Sequence, residues 1–383
     1  MTKIVGIQRL DDTIQPVTGI GDNWHMSWAA NDKQYVGLCD GPGFSGLPGY
    51  TGEVFNTNLY TLSGDAPAYM FAPVPGYPAL ESLPPTPERP DSYSRYYGFG
   101  LLALDRYIYH FLSTPKTRFG PPGNAFAGVK LIYSADDGAT WHNQDGTPVR
   151  YEPWAERSRD NMLFFMEPDE TFSLLTVLQM GQNYQHNTDG YVYLYAPNGS
   201  TDGRMNELAL ARVPKDRVLQ RAAYEFFTAR HADGRAQWTP HLPDRGAVHT
   251  FPRGWVNYTI GDPHGGHPYA WQPSVVYNAP LHCYMMFNWG IGVGANGDWF
   301  EKPSYLGFYT APQPWGPWTQ VHEDTAWTPN GDAGARCYQP QIAPKWLARD
   351  GKSFWMVWTD FRLVGDQRPY YSFNCQQVKL LTA

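Results

Sequence analysis

The sequence predicts an all-β fold, and within that class a single five-bladed β-propeller domain over residues 1–383. Three observations predict it. Aromatic residues make up 16% of the chain, 38 Gly and 34 Pro residues separate the aromatic runs, and a loose strand pattern recurs along the chain. Aromatic runs between turn-forming residues favour many short strands over helices. A sandwich of two sheets would suit the same strand pairs and is the alternative.

The recurring pattern is an apolar strand, a turn, a second strand that ends in polar or aromatic residues, and a third strand. Irregular insertions between the repeats fit a radial array of small sheets. The predicted second strands are 34–40, 107–112, 172–178, 282–288 and 353–360, and the predicted third strands are 58–62, 129–134, 191–195, 305–309 and 373–378.

Both ends of the chain are predicted to be strands, at residues 3–7 and 373–378. Two such strands can pair within one blade, and their pairing would close the ring and leave no long open edge. We therefore expect the N- and C-terminal strands to close one blade. An amphipathic helix is expected near residues 216–228.

Charge and hydropathy argue against several classes of protein. The formal net charge of −7 disfavours nucleic-acid binding, which needs a basic stripe. No run of 18 apolar residues occurs, so no membrane span is predicted. The first residues lack the apolar core of a signal peptide. We expect a secreted or cell-envelope protein whose signal is absent from this sequence, with a cytoplasmic location as the alternative.

The cysteines and histidines do not show metal-ligand spacing. The four cysteines are either free thiols or two disulfides, with three pairings open. His264 and His267 lack the helical spacing and the Glu of a zinc protease. We therefore expect no catalytic metal and no cofactor, although a structural or central-channel cation such as calcium stays an alternative. The oligomeric state is not predicted.

One motif is specific for a turn. The segment Ser134–Trp141 reads Ser-Ala-Asp-Asp-Gly-Ala-Thr-Trp and matches the Asp-box pattern S-x-D-x-G-x-T-W of sialidase-like propellers. In such a turn Asp136 accepts backbone N–H bonds, Gly138 takes a positive φ and Trp141 packs beneath. We expect this motif to support the fold and assign it no catalytic role.

Chemistry is expected from residues at strand ends. In a propeller each innermost strand starts near the axis and the next strand returns to the same face, so polar residues at starts and returns would share one mouth. Carboxylates can cleave a glycosidic bond, amides bind hydroxyls, and aromatic faces pack against sugar rings. The predicted substrate-binding residues are Trp24, His25, Tyr97, Asn183, Gln272, Trp289 and Asp360.

Two carboxylates are predicted to form the centre of acid/base catalysis. Asp22 starts the first inner strand, and Asp40 ends the return strand of the same blade, so both could face one cavity. Asp189 is predicted as a third catalytic carboxylate, with Asp360 as its alternative. Two like charges held close raise one pKa, as a general acid requires. The competing interpretation is that Asp40 only forms a turn and Asp22 only caps a loop.

An ordered set of motifs carries a family resemblance. It comprises Gln182-Asn-Tyr184, Asp189-Gly-Tyr-Val-Tyr-Leu-Tyr195, Leu208-Ala-Leu-Ala-Arg-Val-Pro-Lys215 and Ala223-Tyr-Glu-Phe-Phe227, followed by Trp238. This set resembles the domain-of-unknown-function family 4185, which overlaps glycoside hydrolase family 183. The resemblance implies a five-bladed propeller and endo-acting hydrolysis of D-arabinan, a furanose polymer of mycobacterial walls.

Two other functions compete with a glycoside hydrolase. A polysaccharide lyase would use a His or Tyr to take the proton next to a uronate carboxylate, and His25, His264, His267 and Tyr97 keep this alternative open. A non-catalytic propeller would bind oligosaccharide without cleaving it. In each case the expected partner is a polysaccharide.

Overall fold

The structure, a computed structural model, describes residues 3–80, 95–116, 126–199, 206–251, 269–294 and 298–383. Within these ranges the regular structure is strands and short 3₁₀ turns, so the prediction of an all-β fold is confirmed. None of the described helical segments is long and apolar enough to cross a membrane. His264 and His267 lie outside the described residues.

The strands are numbered in chain order. They are β1 (Ile4–Arg9), β2 (Gln15–Asp22), β3 (Met26–Trp28), β4 (Gln34–Phe44), β5 (Asn58–Asp65), β6 (Ala68–Pro73), β7 (Tyr97–Leu104), β8 (Tyr107–Pro115), β9 (Phe126–Ser134), β10 (His142–Asn143), β11 (Leu163–Phe165), β12 (Thr176–Val177), β13 (Tyr191–Pro197), β14 (Glu207–Pro214), β15 (Glu225–Arg230), β16 (Ala236–Thr239), β17 (His249–Thr250), β18 (Tyr269–Asn278), β19 (Cys283–Gly290), β20 (Tyr305–Ala311), β21 (Thr319–Asp324), β22 (Cys337–Leu347), β23 (Ser353–Asp360) and β24 (Ser372–Thr382).

Short 3₁₀ turns connect some of the strands. They are Asp11–Thr13, Trp154–Glu156, Gln182–Tyr184, Lys215–Arg217, Arg221–Ala223, Leu242–Asp244 and Pro329–Gly331.

The strands pair antiparallel in four hydrogen-bonded sheets. One sheet has the order β10-β9-β8-β7, with β11 also on β9, and a second has the order β12-β13-β14-β15-β16, with β17 also on β14. A third has the order β18-β19-β20-β21. The largest has the order β22-β23-β24-β2-β4-β5-β6, and it also carries β1 on β24 and β3 on β4.

Contacts between the first strands of successive sheets form a closed cycle. Strand β3 contacts β7, β7 contacts β12, β12 contacts β18, β18 contacts β22, and β22 contacts β3 again. The largest sheet enters this cycle twice, through β3 and through β22, because β2 joins its two halves by pairing with both β24 and β4. Strand β1 pairs with β24, so the N- and C-terminal strands lie side by side as predicted.

The inner strands are rich in apolar residues because both of their faces are buried. Strand β8 is buried along almost its whole length, because neighbouring sheets cover both of its faces. The outer strand β6 instead alternates between exposed and half-buried residues. Four of the five predicted second strands are confirmed, as β4, β8, β19 and β23. Four of the five predicted third strands are confirmed as the strands that follow these, β5, β9, β20 and β24.

The third repeat differs from the prediction. Only Thr176–Val177 of the predicted strand 172–178 pairs, and this short strand β12 is the first of its sheet. The predicted third strand at 191–195 is therefore the second of the sheet, β13. The helix expected near 216–228 is also wrong, since the segment forms two 3₁₀ turns followed by β15.

The Asp-box segment forms a compact turn. Both carboxylate oxygens of Asp136 accept bonds from Thr140, at 2.9 Å from its N–H and 2.6 Å from its hydroxyl. Gly138 has a φ of 91°, where a side chain would be strained, and Trp141 is buried beneath the turn. The thiols of Cys39, Cys283, Cys337 and Cys375 are not joined in disulfides, so no disulfide contributes to stability.

A buried ion pair joins β9 to the segment that follows β10. The ammonium group of Lys130 lies 2.7 and 2.8 Å from the two carboxylate oxygens of Glu152, and the two side chains are 0% and 2% exposed. The hydroxyl of Tyr96 donates to the same carboxylate at 2.7 Å. Removal of one partner would leave the other charge buried without compensation.

We therefore expect Glu152→Ala to lower the free energy of unfolding by about 3–5 kcal/mol, because the Lys130 ammonium loses its counter-charge in the interior. Chemical denaturation measures this change. The control is Asp233→Ala, which removes the partner of Arg235 from an exposed pair and should leave stability nearly unchanged. Equal stability of Glu152→Ala and the unsubstituted protein would contradict the expectation.

Candidate active site

A cavity of about 360 Å³ lies where β2 ends and where β7, β18 and β22 begin, beside the middle of β4. Its walls combine two carboxylates, three amide side chains and a large aromatic surface. The described residues that line it are Asp22, Asn23, Cys39, Asp40, Tyr97, Phe99, Phe126, Trp271, Gln272, Trp289, Ile291, Trp299, Phe300, Tyr338, Gln339, Phe361 and Tyr371.

Strand pairing brings the two carboxylates together. Asp22 ends β2 and lies opposite Cys39 of β4, so Asp40 is its diagonal neighbour. One carboxylate oxygen of each Asp and the sulfur of Cys39 all lie within 4.8 Å of one another. Gly41 allows this approach, because a Cβ at that position would overlap the carbonyl oxygen of Ile20 on β2.

Four cavity residues have an unusual backbone. Asn23, Asp40, Gln272 and Gln339 have φ values of 54°, 51°, 45° and 53°, in the left-handed region that residues other than glycine rarely adopt. The last three lie at irregularities in strand pairing. Each irregularity interrupts the alternation of side chains, so consecutive residues such as Cys39 and Asp40 can both face the cavity.

Asp22 is surrounded by neutral hydrogen-bond partners. The hydroxyls of Tyr338 and Tyr371 lie 2.7 and 2.9 Å from its Oδ2 atom, and the amide of Asn23 donates to Oδ1 at 2.7 Å. The Tyr371 hydroxyl also lies 3.0 Å from the carbonyl oxygen of Asp40. The Tyr371 hydroxyl has one proton, so it donates to one of these two oxygens at a time or shares the proton between them.

Asp40 lies beside groups that favour its charged form. The side-chain amide of Asn56 donates to its carboxylate, and the thiol of Cys39 bonds to the same group. The guanidinium of Arg95 donates to the oxygen of that Asn56 amide at 3.3 Å. Arg95 therefore places a positive charge behind the donor that holds Asp40.

Burial raises the pKa of both carboxylates above their usual range. The pKa of Asp22 rises more, because the negative charge of Asp40 adds to the effect of burial while Tyr338, Tyr371 and Asn23 oppose it. The pKa of Asp40 rises through burial alone and is held back by Asn56, Cys39 and Arg95. The pair can therefore hold one proton near neutral pH, and the contacts favour Asp22 as its carrier.

The aromatic wall is packed and supported from behind. Trp271 and Trp289 lie with ring centroids 6.1 Å apart, and the indole N–H of Trp289 donates to the carbonyl oxygen of Trp271 at 3.0 Å. Phe300 packs against Tyr338, with ring centroids 5.1 Å apart. Such a wall offers flat apolar faces next to polar groups, as small-molecule sites usually do.

The structure brings five of the ten predicted site residues into this one cavity: Asp22, Asp40, Tyr97, Gln272 and Trp289. Of the seven predicted substrate-binding residues, three are among them.

Trp24 and His25 lie below the cavity instead of lining it. Trp24 is fully buried, packs against Phe44 and Phe373, and donates its indole N–H to Thr359. His25 is also buried, and its Nε2 atom lies 3.4 Å from Oε1 of Gln272. Burial lowers the pKa of His25 to about 4, so its ring is neutral at physiological pH.

The other three predicted residues lie elsewhere. Asn183 and Asp189 belong to the connection between β12 and β13, and Asp189 accepts bonds from the N–H of Tyr191 and the hydroxyl of Tyr193. Asp360 ends β23, and its carboxylate accepts hydrogen bonds from the backbone N–H groups of Arg336 and Arg362. These carboxylates therefore hold turns together outside the cavity.

The two tyrosines that contact Asp22 were not among the predicted site residues. Tyr338, with Gln339, was expected near the mouth as the start of an inner strand, but nothing in the sequence indicates a carboxylate partner for its hydroxyl. Tyr371 belongs to the loop before β24. Its position directly before a predicted strand was the available signal.

Among the described residues, Asp22, Cys39 and Asp40 form a group with three atoms close enough to hold a cation. Hydrogen-bond donors already occupy both oxygens of Asp22 and one of Asp40. The two carboxylates and the thiol could take part in proton transfer as well as in ion binding, so a central-channel cation stays the alternative to the predicted absence of a metal.

Comparisons with known proteins support a shared fold. The family model described as "Domain of unknown function (DUF4185)" matches residues 100–261, and it is the family that the motifs resemble. No curated protein matches the chain. A candidate hydrolase from Bacteroides ovatus ATCC 8483 has 13% identity and a TM-score of 0.52, over 95% of this chain and 87% of that one.

Two further structures are similar over most of their length. A mutant α-L-arabinanase from Cellvibrio cellulosa has 13% identity and a TM-score of 0.46, over 96% of this chain and 92% of its own. The α-L-arabinofuranosidase PaAbf62A from Podospora anserina has 10% identity and a TM-score of 0.44, over 98% and 94%. The likeness of fold rests on the Bacteroides protein, whose TM-score exceeds 0.5.

We expect Tyr371→Phe to raise the pKa of Asp22 by about one unit, since a hydrogen bond to a charged group contributes about 1.5 kcal/mol or more. Carboxyl ¹³C NMR titration measures this pKa. The control is Tyr195→Phe, whose hydroxyl donates to the carbonyl of Pro314 outside the cavity. An unchanged Asp22 titration in Tyr371→Phe would show that the hydroxyl does not stabilise the carboxylate.

Proposed function

We propose that this chain is a five-bladed β-propeller glycoside hydrolase that cleaves D-arabinan within the polymer. The observation that carries the proposal is the placement of Asp22 and Asp40 side by side in a cavity with an aromatic wall. Glycosidases use such a pair, one carboxyl as proton donor and the other as nucleophile or base.

The closed cycle of contacts supports the five-bladed arrangement. Five first strands, β3, β7, β12, β18 and β22, contact one another in order around an axis. Each begins a run of antiparallel strands, and β1 completes the last run by pairing with β24. A sandwich of two face-packed sheets would not place these strands in a cycle.

The contacts support a different role for each carboxylate. Asp22 carries the proton among neutral hydroxyls and donates it to the leaving glycosidic oxygen. Asp40, with Asn56 and the positive charge of Arg95 behind it, is ionised and acts on the anomeric carbon, directly or through a water. Departure of the sugar leaves Asp22 ionised, and the hydroxyls of Tyr338 and Tyr371 then donate to it.

The cavity walls suit an uncharged sugar. Gln272, Gln339 and Asn23 offer amide groups for hydroxyls, and the indoles of Trp271 and Trp289 offer apolar faces. Two adjacent carboxylates would repel the uronate carboxylate that a lyase needs. Of the residues that kept the lyase alternative open, Tyr97 lines the cavity and His25 lies below it.

The choice of D-arabinan comes from the family resemblance. The motifs within residues 182–227 resemble the family that includes endo-acting D-arabinan hydrolases, and the matched region 100–261 contains them. A polymer of this kind belongs to the cell envelope, so we extend the proposal to a secreted or envelope location.

We expect Asp22→Asn and Asp40→Asn each to lower turnover of arabinogalactan by about a hundredfold or more, because each removes a positioned acid or base. A reducing-end assay measures turnover, and thermal unfolding checks that the variants are folded. The control is Asp189→Asn, whose carboxylate bonds within its own turn and should leave turnover near the original value.

Several results of this assay would contradict the proposal. Near-normal turnover in either variant would remove that residue from the mechanism. Absorbance near 235 nm in the products would identify a lyase. Binding of arabinogalactan without release of reducing ends would identify a non-catalytic binding protein.

The pH dependence of kcat/KM should be bell-shaped. Activity rises as Asp40 ionises and falls at higher pH as Asp22 loses its proton. Arg95→Gln removes a positive charge that lowers the pKa of Asp40, so the acid limb should move to higher pH. Arg235→Gln, at an exposed site, is the control. An acid limb at the same pH in Arg95→Gln would contradict the assignment of Asp40.

A further inference from the structure

A second concave surface lies between the two halves of the largest sheet. This groove, of about 450 Å³, is bounded by β3 and the turn after it on one side and by β22, β23 and β24 on the other. Three indoles contribute to its walls. The lining residues used below are Trp28, Asp32, Lys345, Trp346, Trp355 and Gln377.

The groove and the catalytic cavity lie at opposite ends of the same strands. Strand β22 begins beside the cavity with Tyr338 and Gln339, and it ends in the groove with Lys345 and Trp346. Lys345 is seven positions after Tyr338 in extended chain, which corresponds to about 20 Å. The groove is therefore a separate site and not an extension of the cavity.

Trp355 lies on the side of β23 that is buried further along the strand. Along β23, Trp355 and Val357 point to the same side because they are two residues apart. Val357 is fully buried between the sheets, whereas Trp355 is only half-buried at the point where the sheets separate. Gln377 lies directly opposite Trp355 on β24 and places an amide beside the indole.

Trp28 is fixed on the facing wall. Its indole N–H donates to Asp32 at 3.0 Å, and the ammonium of Lys345 lies 2.8 Å from the same carboxylate. The Lys345 side chain is only 8% exposed. This ion pair holds the half-buried indole in one orientation before any ligand arrives, which lowers the entropy lost on binding.

The charges of the lining cancel. Asp32 and Asp65 face Lys345 and Arg349, so two acids balance two bases. A groove of zero net charge with indoles and an amide suits a ligand that has apolar ring faces and hydroxyls but no charge. An uncharged polysaccharide has this chemistry, whereas a nucleic acid or a polyuronate would need a basic surface.

We propose that this groove is a second binding site for an uncharged polysaccharide strand, separate from the catalytic cavity. The proposal rests on the proposed function only for the identity of the polymer. Such a site holds the enzyme on a long substrate while a different segment enters the cavity. The linkage raises the effective concentration of substrate at the cavity without a new catalytic contact.

Affinity electrophoresis in gels that contain mycobacterial arabinogalactan tests the proposal. The protein carries Asp22→Asn so that the polymer stays intact. Adding Trp355→Gln should raise the apparent Kd for the polymer, measured from the retardation of the protein band, about tenfold. Trp355→Phe should change this Kd much less, because a ring face remains. Trp28→Gln is the second groove variant, and thermal unfolding checks each fold.

A turnover assay separates the two sites. With Asp22 intact, Trp355→Gln should leave turnover of a short arabino-oligosaccharide unchanged and should lower turnover of dilute arabinogalactan. Equal retention with and without Trp355→Gln overturns the proposal, and so does absent retention of the Asp22→Asn protein. If the unsubstituted enzyme releases no reducing ends but retention still depends on Trp355, the hydrolase proposal fails and the groove stands.

Discussion

Two carboxylates buried side by side set the conditions for the rest of the cavity. Asp22 and Asp40 would repel each other if both were ionised, and burial makes that repulsion stronger because little water screens it. The structure compensates on each side differently, with the neutral hydroxyls of Tyr338 and Tyr371 at one carboxyl and the amide of Asn56 at the other. The pair can therefore hold a single proton, which resides on Asp22 more often than on Asp40.

The backbone around this pair is itself strained. Asn23, Asp40, Gln272 and Gln339 adopt left-handed φ values, and each such conformation costs about 1–3 kcal/mol. They come from β4, from the residue after β2, and from the first halves of β18 and β22. The apolar packing between sheets has to offset this cost. Strain gathered at one cavity from separate strands is typical of a site shaped for binding or chemistry.

Much of the fold and the centre of the site could be predicted from the sequence, because strand periodicity and turn residues are local signals. The failures have two physical causes. The left-handed Asn23 interrupts side-chain alternation, so Asn23 faces the cavity and Trp24 enters the core. In the sheet β12-β13-β14-β15-β16, β12 is the first strand and not the second, and an offset of one strand moves the loop with Asn183 and Asp189 to the opposite end.

The pairing of β1 with β24 also has a consequence for synthesis on the ribosome. Strand β1 is made before every other described strand, and its hydrogen-bonding partner β24 is made after all of them, more than 360 residues later. Until then the β-edge of β1 is uncovered and can pair with the wrong strand. The three smaller sheets can form as their strands leave the exit tunnel, but the largest sheet is complete only after β24 has been made. Among the described strands, the first to be made is therefore among the last to be paired.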